Sequence, residues 1–131
     1  MTILGIDYGE KRVGIALSDT SETLAFPKET FESRKTLLDD VVSLVQKENA
    51  RIVVLGLSQD LKGNDNPVME HIRSFKKELE TRLGIPVVLE AEFWSSAEAR
   101  RFQGKVEGLD ASAAAIILQR FLDKQRSAAT N

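Results

Sequence analysis

The chain has 131 residues, 42% of them hydrophobic, with a formal net charge of −2 and a pI near 5.5. This length fits one domain that buries roughly two-thirds of the surface of its unfolded chain. The slightly acidic balance excludes a protein that binds nucleic acid through its bulk charge, so any site for a polyanion must be local. The absence of cysteine excludes disulfides and thiolate metal sites, and suits a reducing cytosol.

The amino-terminal segment, MTILGIDYG, carries no basic leader and no small-residue cleavage site. No later apolar run approaches the roughly 18 residues that a membrane-spanning helix needs. We therefore expect a cytoplasmic protein without a membrane partner.

The first elements in chain order are predicted strands. Residues 2–7 and 12–19 are rich in Ile, Leu and Val and are separated by a turn containing Gly9, a pattern typical of a β-hairpin. Residues 24–31 predict a third strand, and Pro27 favours a place at the edge of the sheet because proline lacks the backbone N–H.

The middle of the chain alternates helix and strand. Ser33 is a predicted N-cap for a helix ending near Asn49, whose apolar positions recur with helical spacing. Residues 51–57 form a continuous apolar run, as expected for a buried strand parallel to the first. A second helix closed by Gly84 is predicted from one apolar face: Val68, Ile72, Phe75, Leu79 and Leu83.

The last part predicts a strand over residues 85–92, a third helix from Ser95 or Ser96, a fourth helix over residues 109–124 and a frayed tail over 124–131. The resulting order is a three-strand meander followed by right-handed β-α-β crossovers. The sequence therefore predicts a single α/β domain over residues 1–131, with a mixed five-stranded sheet flanked by helices.

Three acidic residues fall at the ends of predicted elements. Asp7 ends the first strand, Glu92 ends the last strand and Asp110 opens the last helix, so they can converge at one edge of the sheet. Three neighbouring carboxylates raise one another's pKa unless a cation lies between them, and Mg²⁺ or Mn²⁺ prefers such oxygen ligands. Two such ions about 4 Å apart would orient a water and polarise a phosphodiester. The pattern predicts metal-dependent phosphodiester hydrolysis.

Each acid also has a structural interpretation. Asp7 fits a hairpin turn, Glu92 fits an exposed strand end, and Asp110 alone is better explained as an N-cap. Only the constellation favours the metal site. Other polar or aromatic residues are assigned structural roles: Asp19 and Asp60 as turn or cap residues, His71 at the solvated surface, and Phe93 or Trp94 partly buried rather than stacked on a base.

Four segments resemble the YqgF family, also called RuvX: ILGIDYGEKRVGIALSD, VVLGLSQDLKGNDNP, AEFWSSAEARR and LDASAAAIILQRFLD. The similarity covers about residues 2–124. It implies an RNase H-like fold and a metal-dependent nuclease that matures the 5′ end of the small-subunit rRNA precursor, with Holliday-junction resolution as the older proposal.

The resemblance also implies roles for individual residues. The family's catalytic acids and metal ligands fall on Asp7, Glu92 and Asp110, and its lysine and arginine fall on Lys11 and Arg12, which would hold phosphates near the metal ions. Two further cations are assigned to nucleic-acid binding: Arg100 and Arg101.

The chain departs from the family pattern around Glu92. Where the family usually has Asp-Glu-Arg-Leu-Thr-Thr, this chain has Ala91-Glu92-Phe93-Trp94-Ser95-Ser96, and Ser58 replaces a common proline. An arginine bond to phosphate is worth about 1.5 to 3 kcal/mol, up to roughly a hundredfold in binding or rate. The departure predicts altered specificity or weaker activity.

Two other function classes are open from the sequence. An Asp-x-Gly hairpin also begins the actin-like phosphotransferases, but those proteins clasp nucleotide between two such domains and this chain has length for one. A catalytically weak RNA-binding factor is the second alternative, because Phe93 replaces the arginine. The sequence leaves open RNA or DNA as substrate, endonuclease or exonuclease action, a ribosomal subunit precursor as partner, and monomer or homodimer.

Overall fold

The computed structural model describes residues 1–9, 11–57, 69–91 and 109–129. In these ranges the chain forms five strands and three helices, in the order β1 Thr2–Tyr8, β2 Arg12–Ser18, β3 Ala25–Glu32, α1 Leu37–Glu48, β4 Ala50–Leu57, α2 Met69–Leu83, β5 Val87–Ala91 and α3 Leu109–Ala129.

The strands form one mixed sheet in the order β3-β2-β1-β4-β5. The first three strands pair antiparallel, whereas β1 and β4, and β4 and β5, pair parallel. Pro27 lies in β3, at the edge of the sheet. The predicted meander, the parallel inner strand at residues 51–57 and the edge position of Pro27 are confirmed.

The two faces of the sheet carry different helices. Alternate residues of a strand point to opposite faces, so Leu4 and Ile6 pack with α1 and α2, whereas Ile3 packs with α3. The predicted apolar face of the second helix is confirmed at Ile72, Phe75 and Leu79, which are buried. Within the described residues, no helix is both long and apolar enough to cross a membrane.

Gly5 allows α3 to lie directly on the central strand. A Cβ atom at this position would stand 2.8 Å from Leu118 Cβ and 3.1 Å from the carbonyl oxygen of Ala114. Real Cβ atoms do not approach carbon this closely, so any side chain at position 5 would push the helix away. The close packing of α3 on β1 therefore depends on this glycine.

The predicted N-cap at Ser33 is wrong. Helix α1 begins at Leu37 with Thr36 in the N-cap position, and Thr36 makes no side-chain capping bond. Ser33 instead donates its Oγ–H to the carbonyl of Gly9 at 2.8 Å, and its backbone N–H to the carbonyl of Lys11 at 2.9 Å. Tertiary bonding to the β1–β2 turn thus overrides the local capping preference.

Helix boundaries elsewhere are set by residues in the left-handed region. Asn49 ends α1 with φ 55°, close to the predicted end, and Gly84 follows α2 with φ 67°. Helix α3 continues to Ala129, beyond the predicted boundary at residue 124, and Arg126 pairs with Asp123 on its last turns. The predicted third helix lies outside the described residues.

A polar cluster connects β4, α3 and the loop between β2 and β3 at the edge of the sheet where β4 begins. Arg51 of β4 donates two hydrogen bonds to the Glu22 carboxylate, and Gln125 of α3 donates a third at 3.1 Å. Hydrogen bonding from Arg51 is the main cause that lowers the pKa of Glu22, and the bond from Gln125 acts in the same direction. The cluster anchors the carboxyl-terminal part of α3.

The lowered pKa of Glu22 predicts a pH-dependent contribution to stability. Its stabilisation is fully present above the pKa of an unfolded glutamate, about 4.3, and is lost as the pH falls through the lower folded-state pKa. We expect Glu22→Gln to reduce the free energy of unfolding at pH 7 by about 1 kcal/mol, and the difference from wild type to shrink toward about pH 3. Urea denaturation at both pH values measures this.

Glu29→Gln, which changes an exposed carboxylate of β3, is the matched control. It should leave the free energy of unfolding at pH 7 within about 0.5 kcal/mol of wild type. A Glu22→Gln deficit that stays constant from pH 7 to pH 3 would contradict the assignment.

Candidate functional site

Asp7 lies at the carboxyl end of the central strand. It is the penultimate residue of β1, pairs with Gly14 of β2 and is half-buried. Two residues earlier, Gly5 faces Leu118 of α3. Because strand residues alternate between faces, Asp7 lies on the α3 face of the sheet. A charged group is thereby placed at the rim of the apolar layer, where it can face solvent.

Glu90 and Gly56 continue the row that Asp7 begins. Ile6 pairs with Leu55 and Gly56 pairs with Glu90, so Asp7, Gly56 and Glu90 are level across three neighbouring strands. Gly56 adds no side chain between the two acids. Glu90 is 7% exposed and accepts a hydrogen bond from Lys124 Nζ of α3. Sequence reasoning missed Glu90, since only the register reveals its place beside Asp7.

The direction of α3 brings its first turn to the same edge. Gln125 bonds to Glu22 and pairs with Arg51 at the beginning of β4, whereas Ala114 and Leu118 lie over the middle of β1. The amino-terminal end of α3 therefore points to the edge where the parallel strands end. Asp110 lies within the described part of α3, so its backbone is helical and it is not the N-cap.

The predicted metal ligands are only partly described. Asp7 is described fully, Asp110 by its backbone, and Glu92 lies outside the described residues. Within the described part of the chain, no group of three His, Asp or Glu side chains is placed to hold a metal ion. The set Asp7, Glu92 and Asp110 stays a prediction. The half-buried carboxylate of Asp7, with Gly56 beside it, is a hard oxygen donor that fits Mg²⁺ or Mn²⁺.

Two predicted phosphate-binding cations lie on the turn that follows β1. Lys11 and Arg12 are both exposed, and Arg12 begins β2 opposite Glu32. The turn needs Gly9, because a Cβ there would stand 2.5 Å from the carbonyl oxygen of Arg12. Ser33 holds the turn from the α1 side. These contacts hold Lys11 and Arg12 near the end of β1, where Asp7 lies. The other two predicted cations, Arg100 and Arg101, lie outside the described residues.

Asp19 has the structural role predicted for it. Its carboxylate accepts hydrogen bonds from the backbone N–H of Thr23 at 2.8 Å and of Leu24 at 3.2 Å, and from the Ser21 hydroxyl. The bond from Thr23 is the main cause that lowers the Asp19 pKa. This aspartate orders the β2–β3 loop. Asp60, like Phe93 and Trp94, lies outside the described residues.

A groove on the opposite face of the sheet was missed by sequence reasoning. It has a volume of about 450 Å³ and is lined by Tyr8, Ser33, Arg34, Lys35, Leu37 and His71. His71 is exposed, as predicted, but it shares this groove with Tyr8. Burial, and to a lesser degree the charge of Glu78, raises the pKa of the Tyr8 hydroxyl. Arg34 and Lys35 form one of several basic pairs in the sequence.

Comparison with known proteins identifies relatives over nearly the whole chain. The family model described as "RuvX: Holliday junction resolvase" matches residues 1–124. A Bordetella parapertussis protein named "Putative pre-16S rRNA nuclease" is 38% identical over 93% of each chain, and a Caldanaerobacter subterraneus protein of the same name is 36% identical over 97% of this chain and 99% of its own.

A solved structure shares the fold at low sequence identity. The Thermus thermophilus RuvC chain, solved in complex with a Holliday junction substrate, superposes with a TM-score of 0.62 at 14% identity and covers 96% of both chains. This likeness confirms the predicted RNase H-like fold.

Proposed function

Since the chain belongs to the RuvX family, we propose that it is a nuclease that hydrolyses phosphodiester bonds and acts on the precursor of the small-subunit rRNA. The proposal is supported by the position of Asp7 at the end of the central strand, before the turn that holds Lys11 and Arg12, and by the packing of α3 over β1 at Gly5. The names of the relatives that match over nearly the whole chain support the RNA substrate.

We assign the metal site to Asp7, Glu92 and Asp110, which would hold Mg²⁺ or Mn²⁺, with two ions. When bound, such ions would supply the activation of a water and the neutralisation of charge on the cleaved phosphate. The carboxylates serve as negatively charged metal ligands. Lys11 and Arg12 bind the neighbouring phosphates and orient the substrate strand across the end of β1. No protein nucleophile is needed in this arrangement.

The alternative substrate is a DNA four-way junction, as the family description indicates. Cleavage of an end-labelled rRNA precursor fragment and of a four-way DNA junction should be compared with Mg²⁺, Mn²⁺ or EDTA. Metal-dependent cutting of the RNA alone supports the proposal, and cutting of the junction alone replaces its substrate. A folded protein that binds the RNA but cuts neither substrate would instead be an RNA-binding factor.

We also propose a cellular compartment and a partner for the protein. It works in the cytoplasm on a ribosomal subunit precursor, as a monomer or a homodimer. Copurification of the protein with ribosomal subunit precursors, lost after RNase treatment, would support this.

The sequence has Phe93 where the family usually has an arginine, and this difference leads to a separate prediction. Restoring it by Phe93→Arg adds a cation able to bond a substrate phosphate, so the cleavage rate should rise about tenfold. Single-turnover cleavage of the RNA fragment measures this. Trp94→Arg, which adds the same charge one residue later, is the control and should give a smaller gain; equal rates for both variants would show only a general charge effect.

A further inference from the structure

The groove on the α1 and α2 face adjoins the candidate cleavage site. Tyr8, which lines it, directly follows Asp7, and the two side chains lie on opposite faces of β1 because strand residues alternate. Ser33 contributes both to the groove and to the bonds that fasten the turn at Gly9 and Lys11. A nucleic-acid strand that lies over the end of β1 would therefore contact Asp7 on one face of the sheet and the groove on the other.

The lining of the groove is complementary to a nucleotide. Arg34 and Lys35 supply positive charge, and the groove has no carboxylate among its described lining residues. The nearest described acid to Arg34 is Asp40, at 3.9 Å, and the Arg34 side chain remains 60% exposed. A pair so long and exposed holds the guanidinium weakly, so Arg34 can turn to a phosphate.

The apolar part of the groove is a supported aromatic surface. The Tyr8 ring packs against Phe75 with centroids 5.2 Å apart, which holds it in place, and His71 lines the same groove. Aromatic side chains beside cations are the usual means of holding an unpaired base. A volume of about 450 Å³ is of the size that holds a small organic ligand, which suits one unstacked nucleotide.

We propose that this groove binds a nucleotide of a single-stranded nucleic-acid segment beside the cleaved bond, with its phosphate on Arg34 and Lys35 and its base against Tyr8 and His71. The inference rests on the proposed function and adds to it a requirement for an unpaired segment next to the cleavage point.

The wild-type protein offers a direct test, because Tyr8 and His71 are the only tyrosine and the only histidine in the sequence. Their ring signals can therefore be followed by NMR while a short single-stranded RNA is added in EDTA. Both sets of signals should shift with one saturating curve, and a blunt RNA duplex should shift them far less. No shift with the single strand, or an equal shift with the duplex, would overturn the proposal.

Affinity measurements with variants give the second test. The Arg34→Gln/Lys35→Gln variant should bind the single strand about tenfold more weakly, and the slope of log affinity against log salt should fall by about 0.7 for each lost phosphate contact. Lys47→Gln/Lys77→Gln removes two exposed cations outside the groove and is the matched control. Equal affinities and slopes for the two variants would overturn the proposal.

His71→Gln keeps the test decisive if the double variant does not fold, since it should also weaken binding. The two proposals fail separately. If the wild type cleaves RNA and the groove variants bind and cleave equally well, the groove assignment is wrong. If no metal supports cleavage but the groove variants bind weakly, the groove is a single-strand binding site without a cleaved bond beside it, and the nuclease proposal falls.

Discussion

Asp7→Asn is expected to abolish metal-dependent cleavage while leaving the protein folded. The amide keeps the size of the side chain but removes the negative charge that would hold a divalent ion. Loss of a residue that merely supports a metal ligand already costs 10- to 100-fold, so loss of Asp7, the ligand we propose, should lower the cleavage rate more than about a hundredfold. Single-turnover cleavage of the rRNA precursor fragment with saturating Mn²⁺ measures this.

The stability of this variant separates a catalytic from a structural role. Asp7 is half-buried at the end of β1, and a neutral amide of the same size avoids the cost of burying a charge. We expect Asp7→Asn to unfold cooperatively, with a free energy of unfolding within about 1 kcal/mol of wild type. Asp39→Asn, at an exposed position of α1, is the matched control and should cleave at the wild-type rate. Normal cleavage by Asp7→Asn would exclude Asp7 from the site.

Gly5→Val is expected to destabilise the fold and to reduce cleavage together. The Cβ alone would meet Leu118 Cβ at 2.8 Å and the Ala114 carbonyl at 3.1 Å, and the two added methyl groups need further space. Neither contact atom is the far end of a flexible side chain, so α3 itself must shift. Overpacking of this kind costs roughly 3 kcal/mol or more in free energy of unfolding. Urea denaturation measures the loss.

The same substitution tests the role of α3 in the site. If α3 moves away from β1, its first turn moves away from Asp7, and the cleavage rate of the folded variant should fall as well. Gly84→Ala is the control, because nothing lies within 4 Å of an added Cβ there. That control should cost only about 1 kcal/mol, from the left-handed backbone at φ 67°, and should leave cleavage unchanged. Equal losses from both substitutions would contradict close packing at Gly5.

Local patterns were sufficient to predict most of the elements. Three kinds of prediction depend on neighbours in the sequence and are confirmed: the apolar runs of β1, β2 and β4, the helical spacing of Ile72, Phe75 and Leu79, and the helix ends at Asn49 and Gly84. The failed N-cap at Ser33 shows the limit. A serine hydroxyl has several possible acceptors, and in the folded protein Ser33 donates its hydrogen bond to the carbonyl of Gly9, 24 residues away.

Sequence patterns alone identify the available chemistry: the acids at strand and helix ends, the cations after β1, the absence of cysteine and the family to which these motifs belong. Which of these groups become neighbours depends on the three-dimensional fold. The register places Glu90 level with Asp7, the packing at Gly5 fixes the approach of α3, and the joining of three segments creates the groove of Tyr8, Arg34 and His71. Strand register and helix packing depend on the fit of whole surfaces, whereas a sequence pattern reports only the periodicity of each segment.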